Sequence, residues 1–201
     1  YEFLKDGRHI DIKPEIINRE KYIANTISIQ IKPGEELVLN KYVSVLSSLN
    51  ISKESLAKDI KGRLSEAKTK GYTDLFLAHE HEWDRIWANS DVVIEGDISA
   101  QQAIRFNIFH LNQTYTGKDE RLNIGPKGFT GEKYGGSTYW DTEAFGLPFF
   151  LKTADQKAGR NLVLYRYKHL EKSISNAVKL GFKNGAALYP MVTMNGEECH
   201  N

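Results

Sequence analysis

The segment 130–143 carries the side chains of this chain that are best suited to chemistry. It places three carboxylates, two tyrosines, one tryptophan and three glycines within 14 positions. Glycines allow positive φ angles and leave room for a ligand to approach the backbone. An indole packs against the apolar C–H face of a sugar ring, while carboxylates accept hydrogen bonds from the sugar hydroxyls. The composition therefore predicts a carbohydrate-binding loop. The alternative is a loop fixed by its own hydrogen bonds.

The candidate ligand-binding side chains of this segment are Glu132, Tyr134, Trp140, Asp141 and Glu143. Glu132 and Glu143 could form an acid/base pair, although positioning of the loop or a hydrogen bond to a sugar hydroxyl is the preferred interpretation of each. Glu143 could also lie in the first turn of a helix that begins near Asp141, where the helix dipole favours a carboxylate.

Three other groups of residues look reactive but are interpreted as structural. The sequence His-Glu-His-Glu at 79–82 places its histidines two residues apart, on different sides of a helix, which is poor geometry for a metal site. Cys199 and His200 are adjacent in sequence and lack an orienting partner. The glycines of 125–136 do not have the spacing of a phosphate-binding loop.

Seven side chains on predicted helices also receive structural roles. Three arginines are expected to form ion pairs rather than bind anions, and four aromatic residues are expected to lie in the core. These residues are Arg105, Arg160 and Arg166, and Trp83, Trp87, Phe106 and Phe109.

Composition excludes several classes of protein. The 201 residues include 27 Lys and Arg against 26 Asp and Glu, so no basic excess favours nucleic acid. No apolar run approaches the roughly 20 residues that a membrane-spanning helix needs. The single cysteine, Cys199, cannot form an internal disulfide and favours a reducing, cytoplasmic location. The start at Tyr1 and the polar end at 195–201 predict an interior piece of a larger protein.

Hydrophobic periodicity divides the chain into sheet-forming and helical regions. Alternation of apolar residues at 22–31 and 37–45 predicts strands with one buried face, and Asp6-Gly7 predicts a hairpin turn. Helical spacing follows from Ser52, with a break at Gly71 before a second helix.

Further helices are predicted at 100–113, at 141–152 with interruptions at Gly146 and Pro148, from Thr153 or Asp155 onward, and at 169–180. The long connection 115–139 is expected to be ordered and functional.

An ordered series of motifs runs from His79 to the end of the chain. It includes His81-Glu82-Trp83, Gln102-Ala103-Ile104-Arg105-Phe106, Gly125-Pro126-Lys127-Gly128, Thr130-Gly131-Glu132, Tyr134-Gly135-Gly136, Tyr139-Trp140-Asp141-Thr142-Glu143, Tyr165-Arg166-Tyr167 and Asn195-Gly196-Glu197-Glu198-Cys199-His200-Asn201. In this series the chain resembles glycoside hydrolase family 65, the inverting disaccharide phosphorylases. The residues before about His79 match only in type. The resemblance implies a multidomain α and β protein: the end of a β-supersandwich at 1–51, a helical linker at 52–91, and the first part of an (α/α)6 barrel at 92–201.

The resemblance also implies roles for individual residues. In the family the matching Trp and Asp bind the glucosyl ring at the −1 subsite, which assigns these roles to Trp140 and Asp141. The Glu-Cys-His-Asn segment lies near the acceptor subsite, which adds His200 and Asn201. The general acid glutamate and the phosphate-binding loop have no match here and are expected downstream of Asn201. No residue of this chain is therefore assigned as catalytic.

The implied reaction is phosphorolysis of an α-linked glucose disaccharide to β-glucose 1-phosphate and glucose, with inversion. Such an enzyme needs one carboxylic acid, because phosphate is already anionic and attacks without a general base. The Tyr-Gly-Gly sequence at 134–136 favours maltose over trehalose, kojibiose or nigerose. Hydrolysis of an α-glucoside and a non-catalytic carbohydrate-binding or structural segment are the alternatives. No cofactor or metal is expected beyond inorganic phosphate as co-substrate, no membrane or nucleic acid partner is expected, and a homodimer is an expectation from the family.

Overall fold

The computed structural model describes residues 1–128 and 132–199, without the side chain of Glu132. The chain divides into two units, Tyr1–Glu80 and His81–Asn201. The first unit is rich in strands and the second is mainly helical.

The first unit contains five short strands: β1 (Glu2–Lys5), β2 (Arg8–Ile10), β3 (Glu15–Arg19), β4 (Tyr22–Thr26) and β5 (Leu37–Asn40). One antiparallel sheet has the order β2-β1-β5, and β3 pairs with β4 in a separate hairpin. The predicted turn between β1 and β2 is confirmed, because Asp6 and Gly7 both have positive φ, at 48° and 74°, as a tight hairpin turn requires.

The strands are shorter than the alternating pattern predicts. β4 ends at Thr26 and β5 at Asn40, whereas the pattern continues to positions 31 and 45. Ile31 is 55% exposed and Val45 is 85% exposed. A strand needs a hydrogen-bonded neighbour, and none of the described residues pairs with these extensions. Alternation alone therefore overestimated strand length.

The helix α1 (Leu56–Ser90) is 35 residues long and is interrupted at Gly71. This residue has φ 76° and ψ 170°, a conformation outside the helical region that is almost restricted to glycine. The predicted break between two helices is confirmed at this residue.

The second unit contains four helices after α1: α2 (Ile98–Thr114), α3 (Leu147–Thr153), α4 (Gln156–Tyr167) and α5 (Leu170–Lys179). Asp97 caps α2 by accepting from the Ala100 N–H, and Asp155 caps α4 by accepting from the Lys157 N–H. These caps satisfy N–H groups that have no partner within the helix. None of the described helices is long and apolar enough to cross a membrane.

The core of the second unit packs the loop after α2 against α3 and α4. Its buried members are Tyr115, Ile124, Phe150, Ala158 and Leu162. The rings of Tyr115 and Phe150 meet edge to face at 5.3 Å between centroids. Burial raises the pKa of Tyr115 to about 12, so the phenol is neutral at neutral pH. This core holds the segment that leads toward Trp140 against α4.

The structural roles expected for arginines and aromatic residues can be compared with their positions. Arg105 forms the expected ion pair, with Asp91, at 2.6 and 2.8 Å. Trp83 stacks on Phe109 at 4.9 Å between ring centroids. The assignment of Phe106 to the core is wrong, because this residue is 62% exposed. It precedes the buried Ile108 by two positions, and residues two apart point to different sides of a helix.

Replacement of Gly71 by alanine should destabilise the first unit by about 1–3 kcal/mol, because the conformation there is strained for any residue with a Cβ. No atom lies within 4 Å of a Cβ at this position, so the effect would come from the backbone alone. Gly62→Ala is the matched control, since Gly62 also has open space and lies in regular helix. It should stabilise by about 0.5–1 kcal/mol. Urea unfolding followed by far-UV circular dichroism measures both, and equal effects of the two substitutions would contradict this account.

Candidate active site

A two-stranded antiparallel ribbon positions the residues around Trp140. β6 (Thr138–Tyr139) pairs with β7 (Val192–Thr193), with Thr138 opposite Thr193 and Tyr139 opposite Val192. Thr138, Val192 and Thr193 are all buried, at 3%, 4% and 1% exposure. The ribbon therefore joins two segments that are distant in the sequence, and Trp140 lies at its end.

A π-helical segment, Thr142–Gly146, follows directly. Its characteristic bond runs from the Leu147 N–H to the Thr142 carbonyl. The segment continues into α3, which accepts Pro148 near its start, where a missing N–H costs little. The sequence predicted one helix at 141–152 with interruptions at Gly146 and Pro148. The structure has a π-turn followed by an α-helix in this segment. Such wide turns are frequent at functional sites.

Three hydrogen bonds, one buried and two partly buried, fix this turn. The Thr142 hydroxyl donates to the Ile124 carbonyl at 2.6 Å, and the Thr138 hydroxyl donates to Asn123 Oδ1 at 3.1 Å. The same oxygen accepts from the Ile124 N–H at 2.7 Å. Because these largely buried groups are paired with one another, the connection 123–124 is fixed to both β6 and the π-turn.

A buried ion pair lies behind Trp140. Arg166 on α4 donates from Nε and Nη2 to the two carboxylate oxygens of Glu143, at 2.9 and 3.0 Å. Its guanidinium carbon also lies 4.4 Å from the centre of the Trp140 ring. Asn123 adds a hydrogen bond to Glu143 at 3.3 Å. The expectation that Arg166 is ion-paired is confirmed.

Trp140 and Asp141 remain accessible. Trp140 is 37% exposed, and the ring of Tyr189 meets it edge to face at 6.2 Å. Asp141 is exposed and borders a cavity of 780 Å³ whose other walls include Phe106, His110 and Phe145. An accessible indole and an accessible carboxylate on consecutive residues are suited to bind a polyhydroxylated ring.

The residues before β6 bring a second aromatic pair to the ribbon. The rings of Tyr134 and Tyr139 meet edge to face at 5.4 Å. Gly135 and Gly136, between them, have φ of 58° and 78°, as their glycine identity predicted. Gly125 allows the neighbouring loop to approach, because a Cβ there would lie 2.9 Å from the Ser137 carbonyl oxygen.

The segment after β7 folds back onto the ribbon and α5. Glu198 accepts hydrogen bonds from the N–H groups of Met191 and Val192, at 2.8 and 3.2 Å. The Cys199 N–H donates to the Val192 carbonyl at 2.8 Å. Gly196 packs so closely on His169 that a Cβ would lie 2.7 Å from that side chain. Burial, with Lys172 and Arg166 nearby, lowers the pKa of His169, which favours its neutral form.

Comparison with known proteins places this arrangement in a family. The model of the glycosyl hydrolase family 65 N-terminal domain matches residues 5–86, and the model of the family 65 central catalytic domain matches residues 105–201. The chain belongs to glycosyl hydrolase family 65.

Several relatives of this family 65 chain are named as phosphorylases. A maltose phosphorylase of Bacillus subtilis (strain 168) is 50% identical over 90% of the chain and 23% of the relative. An alpha,alpha-trehalose phosphorylase of Thermoanaerobacter brockii is 37% identical over 94% of the chain and 24% of the relative. A solved structure assigned as a kojibiose phosphorylase, from the human microbiome, superimposes with a TM-score of 0.69 at 34% identity, over 75% of this chain and 20% of that one. The chain thus spans about a quarter of the length of the curated relatives it matches.

The family 65 chain brings four of the predicted site residues to one region. Trp140 and Asp141 follow β6, Glu143 lies in the π-turn, and Tyr134 contacts Tyr139. The side chain of Glu132 and the residues His200 and Asn201 lie outside the described residues. Among the described residues, no group of three or more His, Cys, Asp or Glu side chains is arranged to hold a metal ion.

Sequence reasoning missed the supporting residues Asn123 and Thr142 and the stacking of Arg166 on Trp140. Asn123 and Thr142 carry no pattern that marks them as paired. Arg166 did carry a signal, because it follows Ala158 and Leu162 at helical spacing on the buried side of α4. A charged residue in a buried stripe needs a partner of opposite charge.

Replacement of Thr142 by valine should destabilise the second unit by about 1–3 kcal/mol, because the buried Ile124 carbonyl would lose its donor. Thr153→Val is the matched control. The Thr153 hydroxyl donates to the Phe149 carbonyl at 2.9 Å, and that carbonyl keeps its helical N–H donor. The control should cost less than about 0.5 kcal/mol. Denaturant unfolding compares the two, and a cost at Thr142 no larger than at Thr153 would argue against the network.

Proposed function

We propose that this chain is part of an inverting disaccharide phosphorylase, in which the turn after β6 binds the glucosyl ring that is transferred to phosphate. The observation that carries the proposal is that Trp140 and Asp141, consecutive residues at the end of a buried ribbon, both have accessible side chains. Membership of family 65 and the phosphorylase names of its relatives support it.

The two residues fit different parts of the reaction. Trp140 offers an apolar surface for the C–H face of the ring and helps to exclude water. Asp141 accepts hydrogen bonds from ring hydroxyls, and its negative charge interacts more strongly as positive charge grows on the glucosyl centre. Attack by phosphate needs no general base, so the chemistry requires only one further carboxylic acid, to protonate the leaving oxygen. We place that acid and the phosphate-binding loop in the sequence after Asn201.

Maltose is the proposed disaccharide. The 50% identity with a maltose phosphorylase supports it, as does the Tyr134-Gly135-Gly136 sequence. Trehalose and kojibiose, named for other relatives, and nigerose are the competing linkages. The finer architecture belongs to the same proposal: the end of a β-supersandwich at 1–51, a linker at 52–91 and the start of an (α/α)6 barrel at 92–201. A homodimer and a cytoplasmic location stay predictions.

The full-length protein should release β-glucose 1-phosphate and glucose from maltose only when inorganic phosphate is present. Proton NMR identifies the anomer through the coupling constant of its anomeric proton, and a panel of trehalose, kojibiose and nigerose sets the linkage. Glucose release without phosphate would instead indicate a hydrolase. Binding of maltose without turnover of any α-glucoside would indicate a carbohydrate-binding protein.

Substitutions at Trp140 and Asp141 should separate binding from catalysis in the full-length enzyme. Trp140→Ala should raise KM for the disaccharide by about tenfold, because the lost contact is made in ground and transition states alike. Asp141→Asn should lower kcat by about 10²–10³-fold with a smaller change in KM, since its charge acts mainly in the transition state. Asp91→Asn, at the ion pair with Arg105, is the control and should leave both constants unchanged. Equal losses of binding and turnover at Asp141 would count against a transition-state role.

A further inference from the structure

The ion pair behind Trp140 is largely shielded from solvent. Arg166 is 6% exposed, and the side chains of Glu143 and Arg166 are 15% and 7% exposed in the pair. A buried ion pair is a weak source of stability, because the loss of hydration offsets much of the attraction. The two parallel hydrogen bonds do, however, fix the guanidinium plane in one orientation.

That orientation places the guanidinium on the indole. Arg166 Cζ lies 4.4 Å from the Trp140 ring centre, within the range of a cation–π contact. Tyr189 meets the same ring edge to face. Trp140 nevertheless keeps 37% of its surface exposed. The ring is thus supported by a fixed neighbour and still open to a ligand.

The oxygens of Glu143 are already used by the protein. They accept two hydrogen bonds from Arg166 and one from Asn123, at 2.9, 3.0 and 3.3 Å. Of the two interpretations preferred for Glu143 from the sequence, contact with a sugar hydroxyl or positioning of the loop, these contacts favour positioning.

We propose that Arg166, held by Glu143, is a positioning residue that orients the Trp140 indole for the apolar face of a sugar. This inference rests on the proposed function, because it assigns the ring a carbohydrate ligand. It also specifies how the ring acts. A guanidinium on one face of the indole interacts with the π electrons of the ring. The same electrons would otherwise attract a positive charge that develops on the opposite face. Trp140 therefore serves by packing, and charge stabilisation is left to Asp141.

The kinetic test is a double-mutant cycle in the full-length enzyme. Arg166→Lys keeps the charge but loses the planar fork, and the double substitution Glu143→Gln/Arg166→Met removes both charges without leaving either unpaired. Each should raise KM for the disaccharide by about tenfold while kcat changes by less than about threefold. In a Trp140→Ala background the same changes should raise KM by less than about twofold, because coupled residues are not additive. The matched control is Asp91→Asn/Arg105→Met, which removes the other two-point ion pair and should leave KM unchanged in both backgrounds.

A spectroscopic test does not depend on activity. Full-length protein labelled with 5-fluorotryptophan should give a fluorine NMR signal for Trp140, assigned by its loss in Trp140→Phe. Arg166→Lys should shift or broaden this signal and leave those of Trp83 and Trp87 in place, whereas the control pair should leave the Trp140 signal unchanged. An unchanged Trp140 signal would overturn the positioning role. If the signal changes but the KM effects of the Arg166 variants add to that of Trp140→Ala, Arg166 orients the ring without contributing to sugar binding, which would also overturn the proposal.

The two proposals fail in different ways. If the unsubstituted protein neither binds nor cleaves a disaccharide, the proposed function fails, and the fluorine signal still decides whether Arg166 orients Trp140. If the enzyme is active and the Trp140 signal is insensitive to Arg166, the phosphorylase assignment stands and the positioning role is wrong.

Discussion

The pairing of β6 with β7 is the constraint on which the arrangement around Trp140 depends. It has two residues in each strand, yet it fixes the position of Trp140, Asp141 and the π-turn. Its stability comes from what surrounds it, because an isolated two-stranded ribbon is marginal in water. Three of its four residues are buried, and the hydroxyl of Thr193 accepts from the Gly196 N–H at 2.7 Å. The ribbon is held as part of a core.

The ribbon is surrounded by polar as well as apolar groups, and the polar groups stabilise it because they are paired with one another. A buried hydroxyl or carbonyl without a partner costs about 1–3 kcal/mol, whereas a paired one contributes about 1 kcal/mol. Asn123 joins β6, the adjoining loop and Glu143 through three hydrogen bonds. Removing one member exposes the others to that cost. Such a network specifies a single geometry for the residues around Trp140.

Features encoded in neighbouring residues were predicted from sequence. The hairpin turn at Asp6-Gly7, the break at Gly71 and the start of α4 after Asp155 all depend on local conformational preference. The features that escaped prediction depend on distant residues. The two-residue strands leave no periodic pattern, and the π-turn arises where Thr142 and Glu143 meet partners 18 and 23 residues away. The roles of Trp140 and Asp141 were inferred from their motif and stay predictions, whereas the contact of Arg166 with the indole joins residues far apart in the sequence. Phe106 failed for a related reason, since an aromatic residue does not reveal which side of its helix is covered.

The separation of β6 from β7 along the chain has a consequence for the order of folding. β6 and β7 lie more than 50 residues apart, and a ribosome adds about 5–20 residues each second. Tyr139 therefore waits several seconds during synthesis before its strand partner exists. In that interval α2 and its caps can form from local contacts alone, since short-range structure assembles in microseconds. The turn after β6, by contrast, reaches its final packing only after β7 has been synthesised.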